Sequence, residues 1–232
     1  MFKRIAKTKH KSRQAFTLVE LIVVLVILAV IAAMLVPALT GYIKKSKEEK
    51  YTETVHYAQV AAQSVMTEVY GLWDGNADKD TTTDGNNVLW YKEGDDDKVW
   101  GDKVLKLMDR GRGKENGEPY VLIVGVGSHK EGSKMTLNQK YTVYYVCYIE
   151  DENAPAVFYI NGEFFYKYPR KDGGKVITTK NGFRNTIVYN GANIPLQFYI
   201  ISNRTGMDPN SSDFWTGKDK RSILSHCNKE YA

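Results

Sequence analysis

The residue best placed to do chemistry in this chain is Glu20, a carboxylate inside a long apolar run. From Phe16 to Leu39 only Thr17 and Glu20 carry polar side chains, and the run contains no Lys, Arg or His. A carboxylate in hydrocarbon costs about 3 kcal/mol on insertion scales, so it needs a partner. A cation must therefore come from another chain or be created by processing. Cleavage between Ala15 and Phe16 would create one, because it exposes an α-amino group four residues before Glu20.

A basic leader precedes this apolar run. Residues 1–15 carry six cationic side chains and no acidic one: Lys3, Arg4, Lys7, Lys9, Lys11 and Arg13. The positive-inside rule predicts that the leader stays in the cytoplasm and that the rest of the chain is exported. An ordinary signal anchor or a cleaved secretory signal peptide also has a basic start. However, the uninterrupted apolar stretch at residues 21–36 is longer than a secretory core of about 7–15 residues, and neither alternative has a use for Glu20.

The sequence around the expected cleavage point resembles a known processing signal. The segment QAFTLVE at residues 14–20 is similar to the prepilin processing site of type IV pilins and the related pseudopilins. The family has Gly where this chain has Ala15, and Gly is common where it has Ala29. The resemblance covers residues 1–55, and the matching positions are Phe16, Thr17, Leu18, Val19, Glu20, Leu21 and Pro37.

This resemblance implies a pathway of processing and assembly. A membrane prepilin peptidase would remove residues 1–15, and the new N-terminal Phe16 would be N-methylated. Glu20 would then pair with the Phe16 amine of a neighbouring subunit, and Pro37 would lie inside the polymerisation helix. The implied partners are further copies in a homo-oligomeric helical filament, other pilins, the prepilin peptidase, and a pilus assembly platform with its ATPase.

The apolar run is predicted to continue into one long helix. In the second half of that helix, apolar side chains recur every three or four residues, which places them on one face; they are Tyr51, Val55, Ala58, Ala62, Val65, Met66 and Val69. We expect the helix to end at Gly71. Residues 16–40 form its transmembrane and polymerisation part, and residues 41–71 its amphipathic part. Pro37 is expected to kink it, because proline removes a backbone hydrogen bond.

Residues 72–232 are predicted to form an exported domain rich in β-strands. A short helix is expected at 102–110 and a helical turn near Ile223-Leu224. Strands are expected at residues 120–126, 141–149, 157–160, 163–166, 175–179, 186–189 and 196–201. Consecutive strands after one long helix predict an α+β fold with an antiparallel sheet packed on the helix. The resemblance to type IV pilins implies the same layout.

Two local patterns refine this prediction. Asn161-Gly162 is the clearest turn signal, because this dipeptide accepts the positive φ angles of a two-residue type I′ hairpin. In the strand at 141–149, simple alternation of side chains predicts one common face for Tyr141, Val143, Tyr145, Cys147 and Ile149.

The two cysteines, Cys147 and Cys227, allow a single intramolecular pairing. A disulfide is a sensible use of such a pair in an exported protein, and it would close a loop of about 80 residues, worth roughly 4 kcal/mol in the chain-entropy model. The resemblance supports the bridge, because many pilins have a C-terminal disulfide. The alternative is two free thiols, one of them buried in the strand. His226 beside Cys227 has no further ligand spacing and is weak evidence for a metal.

An acidic loop after the helix carries the candidate metal ligands. Asp74, Asn76 and Asp78 have the alternate spacing of the first three ligands of a calcium loop, and oxygen ligands of this kind suit Ca²⁺. The match is incomplete, since Lys79 stands where the EF-hand loop has Gly, and Gly85 where it has a bidentate Glu. A solvated acidic loop is the favoured interpretation, and no cofactor other than calcium is considered.

Charge and motifs argue against several classes of function. The formal net charge is +5, and subtracting the six leader cations leaves −1 for residues 16–232. This balance gives no indication of nucleic-acid binding. The histidines are scattered, and the sequence contains no nucleophile elbow, P-loop or zinc-ligand pattern. Enzymatic activity is therefore not expected.

The sequence thus predicts a prepilin whose mature form, residues 16–232, is a structural subunit of a type IV pilus or pilus-like filament. Before assembly it would be a single-pass membrane protein with a cytoplasmic N-terminus, and afterwards part of a filament at the cell surface. One alternative is a pseudopilin of a type II secretion or DNA-uptake system. Another is a membrane-tethered adhesin or ligand-binding module whose anchor merely resembles a prepilin.

Overall fold

The computed structural model describes residues 17–71, 88–90, 100–111, 113–129, 134–165, 186–202 and 211–227. The chain divides into two compact units, Met1–Lys45 and Ser46–Ala232. The α-helices in the described ranges are α1 (Leu18–Gly71), α2 (Trp100–Leu107), α3 (Leu137–Lys140), α4 (Ser212–Thr216) and α5 (Ile223–Cys227), and a short 3-10 helix covers Lys114–Asn116. The strands there are β1 (Val88–Trp90), β2 (Val121–Gly127), β3 (Val143–Ile149), β4 (Val157–Ile160), β5 (Glu163–Phe165), β6 (Thr186–Tyr189) and β7 (Ala192–Ser202).

The first unit contains the beginning of α1. All side chains of α1 from Leu18 to Lys45 are exposed in this chain, and most of them up to Ile43 are apolar. Among the described residues, α1 is the one helix that is long and apolar enough to cross a membrane. A continuous apolar surface of this extent needs lipid or other apolar helices around it.

The later turns of α1 belong to the second unit and form part of its core. Their buried side chains recur at intervals of three and four residues and are mostly small; they are Val55, Ala58, Ala61, Ala62, Val65 and Met66. They share one core layer with Leu122 and Val124 of β2 and with Val146 of β3. The predicted long helix and its apolar face are confirmed. Gly71 is also the last residue of this described range, so the predicted helix end there stays a prediction.

The sheet of the second unit has the strand order β1-β7-β2-β3-β4-β5, and β6 pairs with the first part of β7. Every pairing among β2, β3, β4, β5, β6 and β7 is antiparallel. The three-residue strand β1 pairs with β7 in parallel. The α+β fold with an antiparallel sheet on the helix is therefore confirmed, with one parallel edge strand added to it.

A bulge between β2 and β3 corrects the predicted face of β3. Gly125 pairs with Tyr145 but the next residue, Val126, pairs with Val143, so Tyr144 is an extra residue on β3. The extra residue reverses the alternation of side chains, so the side chains of the residues before it lie on the opposite face of the sheet. As a result Tyr145, Cys147 and Ile149 share one core layer as predicted, whereas Tyr141 and Val143 lie in the layer that contains α1.

The C-terminal helices α4 and α5 cover the face of the sheet opposite to α1. Phe214 and Ile223 are fully buried there, in the same layer as Phe158 of β4 and Phe198 of β7. Helices therefore cover both faces of the sheet, which explains why β2 and β3 are buried at every position. The predicted helical turn near residue 223 is confirmed as the start of α5.

Two Asn-Gly turns fix the hairpins of this sheet. Asn161 and Gly162 have φ angles of 52° and 90° and join β4 to β5, as predicted. Asn190 and Gly191 have φ angles of 49° and 77° and join β6 to β7 in the same way. Both φ angles are positive in each turn, which is the requirement of a type I′ hairpin. The second turn carries the same sequence signal as the first but was not predicted. The strand predicted at 175–179 falls outside the described ranges.

Candidate functional site

The N-terminal end of α1 is organised around Glu20. The backbone N–H and the hydroxyl of Thr17 both donate to Oε2 of Glu20, each at 2.8 Å. In return, the backbone N–H of Glu20 donates to Oγ1 of Thr17 at 3.2 Å. This reciprocal pattern is a capping box, which satisfies N–H groups that have no partner inside the helix. The negative charge also lies in the first turn, where the helix dipole favours it.

This geometry identifies a partner of Glu20 that the sequence interpretation did not consider. We expected a cation, and in this chain the carboxylate is held by two uncharged donors of Thr17. A carboxylate has about four lone-pair positions, so the capping box leaves it the capacity to accept a further, cationic donor. The signal was present in the sequence, because Thr17-Leu-Val-Glu20 has the Thr-x-x-Glu spacing of a capping box.

The side chains next to Glu20 in the helix are apolar and exposed. Leu18 and Val19 before it are 74% and 67% exposed, and Leu21 after it is 57% exposed. In the membrane or among other helices, all of this surface would be covered by apolar groups. A charge in such surroundings interacts strongly with any opposite charge that reaches it.

The other predicted assembly and processing positions are placed as follows. Pro37 lies inside α1, and its carbonyl accepts a hydrogen bond from the hydroxyl of Thr40 at 2.9 Å. The kink expected at Pro37 stays a prediction. Ala15 and Phe16, which flank the expected cleavage point, precede the first described residue, as does the basic leader.

The second unit contains one partly buried charged network. The guanidinium of Arg110 donates from Nη2 to both carboxylate oxygens of Glu150, at 3.1 and 3.0 Å, and from Nη1 to the carbonyl of Gly117 at 2.8 Å. The hydroxyl of Tyr148 donates to the same carboxylate. Burial raises the pKa of Tyr148, and the neighbouring Glu150 charge raises it further. The phenol therefore stays a neutral donor, and the network joins β3 to the loop after α2.

The buried histidines are bound to backbone carbonyls. Nδ1 of His226 donates to the carbonyl of Ala154 at 2.8 Å, and Nε2 of His129 donates to that of Lys140 at 3.0 Å. Across the part of the chain that the structure describes, no three His, Cys, Asp or Glu side chains are grouped so as to hold a metal ion. The candidate calcium ligands Asp74, Asn76 and Asp78 are not among those residues, so the calcium site stays a prediction.

The two cysteines lie in the same core layer. Cys147 on β3 and Cys227 on α5 are both buried, and each carries a thiol in this structure. Sγ of Cys227 donates to the carbonyl of Ile223 at 3.2 Å. The predicted disulfide is not formed here. Because the state of such a pair depends on the redox compartment, the pairing stays a prediction.

Comparison with protein families finds a match in the segment that contains Thr17 and Glu20. Residues 10–36 match the model of the prokaryotic N-terminal methylation motif, a segment that includes the expected cleavage point, the capping box and most of the apolar part of α1. Searches of the curated proteins and of the solved structures found no match. The chain therefore carries a type IV prepilin-type signal at the start of a long apolar helix. The two features together indicate a precursor similar to type IV pilins or pseudopilins, with a membrane anchor before assembly.

Proposed function

We propose that the mature chain, residues 16–232, is a structural subunit of a type IV pilus or pilus-like filament. One observation carries this proposal. The methylation motif at residues 10–36 includes the first turns of α1, and the later turns of the same helix form part of the core of a folded unit. A cleaved secretory signal would separate from the domain that it exports. Cleavage before Phe16 would instead leave the apolar segment joined to that domain and available for packing in a filament.

The proposed mechanism begins in the membrane. The basic leader stays in the cytoplasm while the apolar part of α1 holds the subunit in the bilayer. A prepilin peptidase cuts between Ala15 and Phe16, and the new amine is methylated. An assembly platform with an ATPase then moves the subunit into the filament at the cell surface. This role is structural and requires no catalytic residue and no cofactor.

Glu20 gives the assembly step its specificity. Transfer of apolar helices from lipid to a helix bundle gains little hydrophobic free energy, so van der Waals packing and polar pairs must select the arrangement. The Phe16 amine of a neighbouring subunit is a cation that exists only after cleavage. Its approach to Glu20 would satisfy the charge that Thr17 alone leaves uncompensated.

Two substitutions of Glu20 separate its charge from its capping role. Glu20→Gln keeps an N3 side chain that can accept the capping hydrogen bonds but removes the charge, whereas Glu20→Ala removes both. We expect both variants to be inserted in the membrane and both to lose filaments from the sheared-cell fraction, measured by immunoblot and electron microscopy. Glu115→Ala, an exposed acid in the short helix at Lys114–Asn116, is the matched control.

Two further measurements delimit the proposal. Normal filament yield from Glu20→Gln would contradict the charge pairing. Mass analysis of the N-terminus should find a methylated Phe16, and an intact leader on working subunits would favour a membrane-tethered adhesin instead. Long filaments in electron micrographs support a pilus. A short filament confined to the cell envelope would favour a pseudopilin of a type II secretion or DNA-uptake system.

A further inference from the structure

The second unit exposes apolar side chains on two helices and on one hairpin. Among its described residues, the large apolar side chains that are more than a third exposed are Tyr57, Val60, Tyr70, Leu107, Val188 and Tyr189. Single exposed apolar residues are common on protein surfaces. We therefore compare these exposed positions by the charged side chains that lie beside them.

The first surface is the acidic-apolar face of α1, formed by Glu53, Tyr57 and Val60. Their spacing of four and then three residues places them on one side of the helix, away from the buried Val55 and Ala58. Tyr57 is 56% exposed and Val60 is 46% exposed. The hydroxyl of Tyr57 donates to Oε1 of Glu53 at 3.1 Å, which holds the carboxylate beside the two apolar side chains.

The second surface is the basic-apolar face of α2, formed by Lys103, Lys106 and Leu107. Leu107 is 59% exposed, the largest exposed fraction among the apolar side chains of the second unit that the structure describes. Lys103 and Lys106 are both exposed. Lys103 lies four residues before Leu107 and three before Lys106, so it is a neighbour of both on the helix surface. Lys103 also pairs with Glu68 on α1, so Lys106 is the cation left to meet a partner at this face.

We propose that the acidic-apolar face of α1 in one copy binds the basic-apolar face of α2 in the next copy along the filament. Both faces combine apolar side chains with charge, and the charges are of opposite sign. The exposed hairpin pair, Val188 and Tyr189, has no charged residue between Thr186 and Leu196 and so offers no such match. This contact rests on the proposed function, because it needs a filament in which copies repeat.

The contact would use a different surface from each copy. Such a heterologous contact leaves one unused face at each end, so it repeats in an open chain unless the rotation closes a ring. A contact between two identical faces would stop at a dimer. Exposed charge pairs add little affinity but select the partner and its register, which suits a contact that supplements the packing of the apolar helices.

Disulfide crosslinking in assembled filaments tests this contact. The full chain with Val60→Cys and Leu107→Cys is produced in cells with the assembly machinery, sheared filaments are oxidised with copper phenanthroline, and the products are separated on a non-reducing gel. We expect a ladder of dimers, trimers and higher multimers. Each single variant should give no ladder, and a mixture of the two single variants should give dimers only. Leu107→Cys with Asn193→Cys, an exposed position on the hairpin, is the matched control.

Charge exchange provides an independent readout. Glu53→Lys and Lys106→Glu should each reduce the crosslinked ladder several-fold, and the double exchange should restore it. The contact would be overturned if normally formed filaments gave no ladder, or if Val60→Cys alone gave dimers. It would also be overturned if Val60→Cys gave a ladder with Tyr189→Cys instead, or if the double exchange did not restore the ladder. If the wild-type chain forms no filament at all, the proposed function fails as well, which separates the two failures.

Discussion

At the scale of single residues, Glu20 combines two roles that are usually found on different side chains. Its hydrogen bonds with Thr17 start helix α1, and its charge remains to be compensated in an apolar environment. The first role is local and can be read from the Thr-x-x-Glu spacing. The second is the proposed role, in which the Phe16 amine of a neighbouring chain would supply the cation.

Arg110 is the residue in the second unit for which we expect the largest electrostatic effect of a single substitution. Its side chain and that of Glu150 are only 19% and 27% exposed, and its guanidinium also lies over the ring of Tyr148. Arg110→Ala would remove the cation that pairs with the Glu150 carboxylate, leaving it the Tyr148 hydroxyl as a donor. It would also remove the donor to the Gly117 carbonyl. We expect it to lower the free energy of unfolding by about 2 kcal/mol, less than the roughly 3–5 kcal/mol of a fully buried pair.

Thermal unfolding of the full chain in detergent, followed by near-ultraviolet circular dichroism, measures this loss. Arg221→Ala is the matched control, because Arg221 and Asp219 form an ion pair whose side chains are 46% and 38% exposed. We expect the control to lose much less stability than Arg110→Ala, because exposed ion pairs contribute little. Equal effects of the two substitutions would show that burial does not strengthen the Arg110 pair.

At the scale of elements, the two Asn-Gly turns set the register of their hairpins. Gly162 and Gly191 have φ angles of +90° and +77°, and a Cβ atom added to either would meet nothing within 4 Å. The cost of an Ala there is therefore that of the backbone conformation alone. Gly162→Ala and Gly191→Ala should each destabilise the protein by about 1 kcal/mol, since a left-handed conformation costs an L-residue about 1–2 kcal/mol and Ala restricts the unfolded chain.

Gly71→Ala is the control of opposite sign for these hairpin substitutions. Gly71 is the last residue of α1, and its added Cβ would also meet nothing within 4 Å. Ala has a higher helix propensity than Gly by roughly 1 kcal/mol in a helix interior, so this change should be neutral or stabilising. Urea unfolding curves of the three variants give the comparison. A stabilising effect at Gly162 would contradict the type I′ assignment of that turn.

The elements also show where sequence patterns are sufficient and where they are not. The long helix, the β4–β5 hairpin and the α+β layout follow from local spacing and turn chemistry, and these predictions are confirmed. The bulge on β3 does not follow, because it depends on contacts between strands. A Cβ on Gly125 would lie 2.9 Å from Cβ of Tyr145 and 3.1 Å from the ring of Phe198. A glycine inside a strand is a signal of such close approach, but it does not indicate which partner approaches.

At the scale of the whole molecule, the C-terminal segment packs on the sheet, which its polar composition does not predict. The sequence predicted only a helical turn near residue 223 here, yet α4 and α5 bury Phe214, Ile223 and Cys227 in the core layer on one face of the sheet. Sequence spacing cannot show this, because each helix has only five residues and the packing partner is distant in the chain. The N-terminal site differs in this respect, because Thr17 and Glu20 are close in sequence and their capping box can be read from the Thr-x-x-Glu spacing. The processing at Ala15 and Phe16 stays a prediction.

The two cysteines give the last prediction, because they join this C-terminal segment to the centre of the sheet. Both thiols lie in one core layer, and oxidation would replace the bond from Cys227 to the Ile223 carbonyl with a bridge closing about 80 residues, worth roughly 4 kcal/mol. Chain isolated from the cell envelope without reductant, denatured and treated with a thiol-specific mass tag, should carry no tag. Cys147→Ser should carry one tag on Cys227, and two tags on the wild-type chain would show that both thiols stay free after export.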